Sequence, residues 1–219
     1  MPSDTMAAKH GPSRGGWVVV CLASLTVAAA FGLRFLQRPN VVLDGRPVIV
    51  CLGDSLTAGN TAPADQSYPA WLQRRLDGAG YRYQVVNAGV SGDRVADGLA
   101  RLRHDVLDLH PAIVIVDLGS NDPGHTPRDQ WAAGLATIVQ FIQRAHSRVI
   151  LGGLDEPGMA EVYRAISTRF RVPLVWLTSG LWSRPGLWGD AHHPNGAGYH
   201  VVADTIWPAL VPLLSTPRR

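Results

Sequence analysis

Twelve residues near the C-terminus, GDAHHPNGAGYH from Gly189 to His200, hold three histidines and one aspartate. Such a stretch suits a metal site, a catalytic base with its orienting acid, or a helix start with incidental imidazoles. Asp190 and His193 stand three residues apart, so a single turn brings the carboxylate beneath a ring nitrogen. A metal-dependent hydrolase using His192, His193 and His200 is disfavoured, because no i, i+4 histidine pair or second carboxylate cluster accompanies them. A base needs a nucleophile to act on. Ser55, in GDSLTAG, stands directly after an apolar run, and a serine hydroxyl is a poor nucleophile until a base takes its proton. Two further motifs, NAGVSGD (87–93) and GSND (119–122), bring a flexible glycine with a backbone amide and a carboxamide. Together these are the parts of an acyl-transfer site.

The motifs must be brought together by the elements that precede them. Apolar runs of strand length occupy Val48 to Leu52, Gln84 to Val86, Ile113 to Leu118, Arg148 to Leu151 and Leu174 to Leu177. Helix-period stretches separate them at about Tyr68 to Ala79, Arg94 to Leu109, Pro127 to Ala145 and Gly158 to Phe170, and a last helix runs from about Gly196 to Leu214. The third of these has the clearest start, with Thr126 as N-cap, Pro127 at the first position and Asp129 in the first turn. Nearly continuous apolar strands alternating with helices predict a parallel sheet covered on both faces, a three-layer doubly wound α/β domain. Ligands in such domains sit beyond the carboxyl ends of the strands, which is where all four motifs fall.

GDSLTAG, NAGVSGD, GSND and DAHHP, in this order from about Val48 to Leu213, resemble the SGNH (GDSL) hydrolases, and most closely the small bacterial thioesterase, arylesterase and lysophospholipase branch. The resemblance implies a flavodoxin-like fold with a five-stranded parallel sheet. It implies a serine hydrolase that cleaves carboxylic esters or thioesters through an acyl-enzyme, with Ser55 as nucleophile, His193 as base and Asp190 orienting it. It places the oxyanion donors at the amides of Ser55 and Gly89 and the side chain of Asn121, where a side chain on Gly89 would crowd the substrate carbonyl. GDSLT lacks the second glycine of GxSxG, which argues against an α/β-hydrolase proper. Asp54 and Asp122 read as loop braces, and Trp182 and Trp188, close ahead of Asp190, as substrate-pocket or loop-packing residues. Trp71, Trp131, Trp176 and Trp207 read as core or helix-face residues. The branch's longer loop after strand four is shortened here to Gly153–Gly158, so long-chain thioesterase activity is not carried over. The alternatives are a carbohydrate O-acetylesterase on the same fold and a catalytically inactive binding module.

The net charge of +3 lies entirely in residues 1–38, which rules out a basic face for nucleic acid on the domain. Trp17 to Leu33 is free of charge and bracketed by Arg14 and Arg34; as a helix it spans about 25 Å, marginal against a hydrocarbon core of about 30 Å. It reads as a signal anchor, or as a signal peptide cleaved near Ala28–Ala30. The expected organisation is a tail over 1–16, this segment over 17–33, a linker over 34–46 with a turn at Asp44-Gly45, and the hydrolase domain over 47–215. The expected location is the bacterial envelope, anchored in the inner membrane with the domain outside the cytoplasm, or secreted or periplasmic if cleaved. Cys21 and Cys51 fall in different phases and are not expected to pair. No cofactor or metal is expected. The expected partners are a small-molecule ester, thioester or lipid and, through residues 17–33 if uncleaved, the membrane, with the chain a monomer.

Overall fold

The computed structural model describes residues 42–215. Five strands, β1 (Val48–Gly53), β2 (Gln84–Gly89), β3 (Ile113–Asp117), β4 (Arg148–Gly153) and β5 (Leu174–Trp176), form one sheet in the order β2-β1-β3-β4-β5, parallel throughout. The helices are α1 (Ser55–Ala58), α2 (Tyr68–Gly78), α3 (Val95–Asp105), α4 (Arg128–Arg144), α5 (Ala160–Phe170) and α6 (Gly196–Leu210). This is the doubly wound arrangement that the alternation of elements predicts, in the flavodoxin-like form that the family resemblance implies.

Period-two alternation along the buried strands divides the core into two layers. Val48, Val50 and Leu52 of β1 and Val114 and Val116 of β3 face α3, α4 and α5. Ile49, Cys51, Ile113 and Ile115 face α2 and α6. The register aligns the strand ends, with Gly53 opposite both Gly89 and Asp117. Hydrogen bonding continues past that row, from Val90 N–H to the Gly53 carbonyl at 3.0 Å and from Asp54 N–H to the Asp117 carbonyl at 3.2 Å. The loops after β1, β2 and β3 therefore start side by side.

Two expectations are corrected here. Helix α4 begins at Arg128 with Pro127 as its N-cap and no side-chain cap bond, because Thr126 closes the preceding turn through its N–H to the Asp122 carbonyl at 2.8 Å. The expectation of a single-pass inner-membrane anchor is overturned for what is described: among the described residues no helix is long and apolar enough to cross a membrane. Helix α4, at 17 residues, carries Arg128, Asp129 and Arg144. The apolar α6 has 15 residues and reaches only about 22 Å. The segments 1–16 and 17–33, with Cys21, lie outside the described residues, as does most of the linker. The turn at Asp44-Gly45 is present, closed by the Arg46–Asp44 ion pair at 2.7 Å.

Candidate active site

Ser55 opens α1 directly after β1 and its N-cap, Asp54, whose side chain accepts from Leu56 N–H at 3.0 Å. From 138 residues away, His193 Nε2 lies 2.9 Å from Ser55 Oγ. His193 Nδ1 lies 2.9 Å from Asp190 Oδ2 and 3.0 Å from Oδ1. Asp190 Oδ1 also accepts the N–H groups of His192 and His193, at 2.8 and 2.7 Å, so the turn DAHH is wrapped around this carboxylate. The hydrogen bonds from His193 and from the two amides hold the Asp190 carboxyl down at about 2. An ionised carboxylate only accepts, so the ring proton belongs on Nδ1 and the Nε2 lone pair faces the serine hydroxyl.

The loop bearing the dyad is tied to the loop bearing the nucleophile. Thr61 Oγ1 donates to the Pro194 carbonyl at 2.8 Å, and the Tyr199 hydroxyl to the Asn60 carbonyl at 2.9 Å. Beneath α1, Thr57 Oγ1 donates to Asp117 Oδ2 at 2.7 Å and meets the Tyr68 hydroxyl at 3.0 Å. Burial, with Asp54 nearby, pushes the Asp117 carboxyl far above its usual range. The Asp54 carboxyl is also pushed up by burial, against the pull of the Ser120 hydroxyl and Leu56 N–H that it accepts.

Of the three expected oxyanion donors, Asn121 is tethered to Asp54, the residue before Ser55, and Gly89 does not fit its expected reason. Asn121 Nδ2 is held by the Asp93 carbonyl at 3.0 Å and Asp54 Oδ2 at 3.3 Å, which fixes its plane. Gly89 N–H is committed, donating to Asn87 Oδ1 at 2.9 Å. A Cβ at Gly89 would meet Ala58 N at 2.2 Å, so glycine is required there by the passage of α1 and not by a substrate carbonyl. Gly92, three residues on, has φ +81° with open space around its Cβ position, and its N–H has no hydrogen-bond partner among the described residues. Gly92 lines a cavity of about 500 Å³ with Arg94, Ser120, Asn121, Pro123 and His125.

Sequence reasoning passed over Gly92, although SGD in NAGVSGD carries the same signal as the glycine before it. It also missed Arg101, which reaches from α3 to Asp93 at 2.6 Å and to the Gly53 carbonyl at 2.9 Å and so clamps two loops together. Asp54 and Asp122 brace loops: Asp122 Oδ2 accepts Val95 N–H at 2.9 Å at the start of α3, while its buried Oδ1 has no partner among the described residues. The three histidines do not converge. His192 is exposed, and His200 lies on α6 edge-on to Trp71 at 4.6 Å, with Asp204 3.4 Å from Nδ1. No group of three or more candidate metal ligands occurs among the described residues. Cys51 is a free thiol buried in β1. Trp131 is core, and Trp71, Trp176 and Trp207 are partly buried on helix or sheet faces.

Residues 51–201 match the model of the GDSL-like lipase/acylhydrolase family. The chain is 34% identical over 179 residues to esterase TesA of Pseudomonas aeruginosa, covering 76% of this chain and 89% of that protein. It is 30% identical over 180 residues to thioesterase 1/protease 1/lysophospholipase L1 of Escherichia coli, covering 76% and 85%. Its fold superposes on a crystal structure of TesA with a TM-score of 0.72 at 32% identity, covering 76% of this chain and 99% of that one.

Proposed function

The chain belongs to the GDSL-like lipase/acylhydrolase family, and from that membership we propose how its own residues hydrolyse carboxylic esters and thioesters. Ser55 Oγ attacks the carbonyl carbon while His193 Nε2 takes its proton. Asp190 holds the ring by Nδ1–H and stabilises the imidazolium that forms. The tetrahedral oxyanion is met by the N–H groups of Ser55 and Gly92 and by the Asn121 Nδ2 hydrogen that turns from its long 3.3 Å contact with Asp54 Oδ2, each such donor worth about 2.7–4 kcal/mol. The imidazolium then gives its proton to the departing alcohol or thiol, which leaves an acyl-Ser55 ester. Water, deprotonated by His193, attacks that ester, and collapse returns the proton to Ser55 and releases the acid.

The observation that carries this reading is the continuous line Asp190–His193–Ser55, with both contacts at 2.9 Å, assembled from opposite ends of the domain. A fluorophosphonate probe tests it directly. Wild type is expected to be labelled, and Ser55→Ala and His193→Ala to lose labelling and turnover of p-nitrophenyl acetate together. Undiminished labelling of Ser55→Ala would sink the assignment.

A further inference from the structure

During acylation His193 hands its proton to the departing group, so the leaving atom lies at Nε2, beside the segment carrying the imidazole. That segment joins β5 to α6 and folds back on itself. Trp188 pairs with Pro194 in an antiparallel bridge, Gly189 N–H donates to the His193 carbonyl at 2.8 Å, and Asn195 N–H donates to the Leu187 carbonyl at 2.8 Å. The main chain of Trp188 is therefore laid against the residues flanking the base. Its indole N–H donates to the carbonyl of fully buried Leu181 at 3.2 Å, which fixes the ring. The Trp182 ring lies over it, with centroids 4.9 Å apart and planes tilted by 35°. Trp188 is half-buried, whereas Trp182 is 61% exposed. The result is a flat apolar face held rigidly in water, on the segment that delivers the proton.

The cavity beside Gly92 and Asn121 has the opposite character. Arg94, Ser120, Asn121 and His125 line it, and Pro123 is its one apolar side chain. It borders the proposed oxyanion donors, and its walls reward a short or polar group over a long alkyl chain. The aromatic surface shares no lining residue with that cavity and lies on the segment that carries the base.

We propose that Trp182, seated on Trp188, is the leaving-group subsite of this hydrolase and takes the flat face of a ring-bearing alcohol, aryl or pyranose. Indole faces stack on such rings, whereas an open-chain alcohol of the same reactivity offers them little area. The proposal rests on the Ser55–His193 reading of the site and determines specificity within it.

Matched acetates of one acyl group and different alcohols test it: ethyl acetate, 2-naphthyl acetate and a methyl 2-O-acetylxyloside, on wild type, Trp182→Ala and Trp182→Phe. In Trp182→Ala, kcat/KM is expected to fall about tenfold for at least one ring ester and to stay within about twofold for ethyl acetate; the arm that falls identifies aryl or sugar. Trp182→Phe is expected to recover part of the loss. The deacylation-limited kcat is expected to stay unchanged, because the alcohol has departed before that step. An equal fall on ethyl acetate, or a loss that follows acyl length in p-nitrophenyl esters instead, overturns the proposal. Wild type inert on every ester and unlabelled by the fluorophosphonate would instead remove the hydrolase reading beneath it.

Discussion

The dyad was legible as spacing, an acid three residues before an imidazole, because the contact is local and a single turn makes it. Its electrostatics are a consequence of the same turn. Asp190 sits at about 2 through its bonds to His193 and the amides of His192 and His193, below the ordinary 3.8. A carboxyl depressed by folding contributes stability that is complete above about pH 4 and is lost as pH falls from there toward 2, where the unfolded chain binds the proton first. The urea midpoint of wild type minus that of Asp190→Asn is therefore expected to be constant above about pH 4.5 and to shrink steadily below it. A difference unchanged down to pH 2.5 would contradict the paired carboxylate. The glycines separate in a different experiment. Gly89→Ala drives a Cβ into the backbone of α1, so it is expected to lower the urea midpoint. Gly92→Ala meets open space and disturbs the local N–H instead, so it is expected to lower kcat by more than tenfold with a smaller stability loss. If Gly89→Ala keeps its midpoint while kcat collapses, the donor is Gly89. Which glycine donates was hidden in the sequence, because it depends on the Asn87 side chain turning back onto Gly89 N–H.

Elements were read more fully than their ends. The five strands start where the strand-length runs start, most plainly in β1 and β3, where burial on both faces leaves an unbroken signal. The ends differ by one to three residues where tertiary contacts decide. The helix expected to run to Leu109 stops at Asp105 and continues as a 3-10 turn over Leu107–Leu109, and the last one passes into another at Val211–Leu213. Single-turn α1 gives no periodicity at all and exists because Asp54 caps it and Thr57 anchors it to Asp117. The start of α6 carries a device that its sequence only half announces. Asn195 Oδ1 accepts from Ala197 and Gly198 N–H at 3.1 Å each, while its Nδ2 donates to the Gly186 carbonyl at 2.8 Å, so one side chain caps the helix and holds the Trp-bearing segment. Asn195→Ala is expected to cost about 1 kcal/mol in urea unfolding and, two residues from His193, to lower kcat more than that loss of stability alone explains. Asn195→Asp keeps the cap but loses the Gly186 bond; it is expected to recover the stability and not all of the activity. Full activity in Asn195→Ala would show that the dyad turn holds itself.

At the scale of the whole molecule, the aligned ends of β1, β2 and β3 bring three motifs together and the β5–α6 segment adds the fourth, and this assembly uses only elements between Val48 and Leu210. The two core layers draw on the same range. The doubly wound order was legible because parallel strands force crossover helices and right-handed crossovers leave few topologies; the side-chain clamps across the loops, Arg101 above all, were not, because nothing local marks them. A chain beginning at Asn40 therefore contains the whole core found among the described residues and every residue assigned to catalysis, and keeps Cys51 as its one cysteine. Burial pushes the Cys51 thiol far up, and it lies with no exposed surface in the interior strand β1, so it reacts only when the sheet opens. That chain is expected to turn over p-nitrophenyl acetate with kcat/KM within twofold of the full chain. Its thiol should ignore iodoacetamide in buffer and react across the same urea interval in which activity and tryptophan fluorescence are lost. Labelling that runs ahead of those losses would mean that β1 opens apart from the rest, and that the site does not rest on one cooperative core.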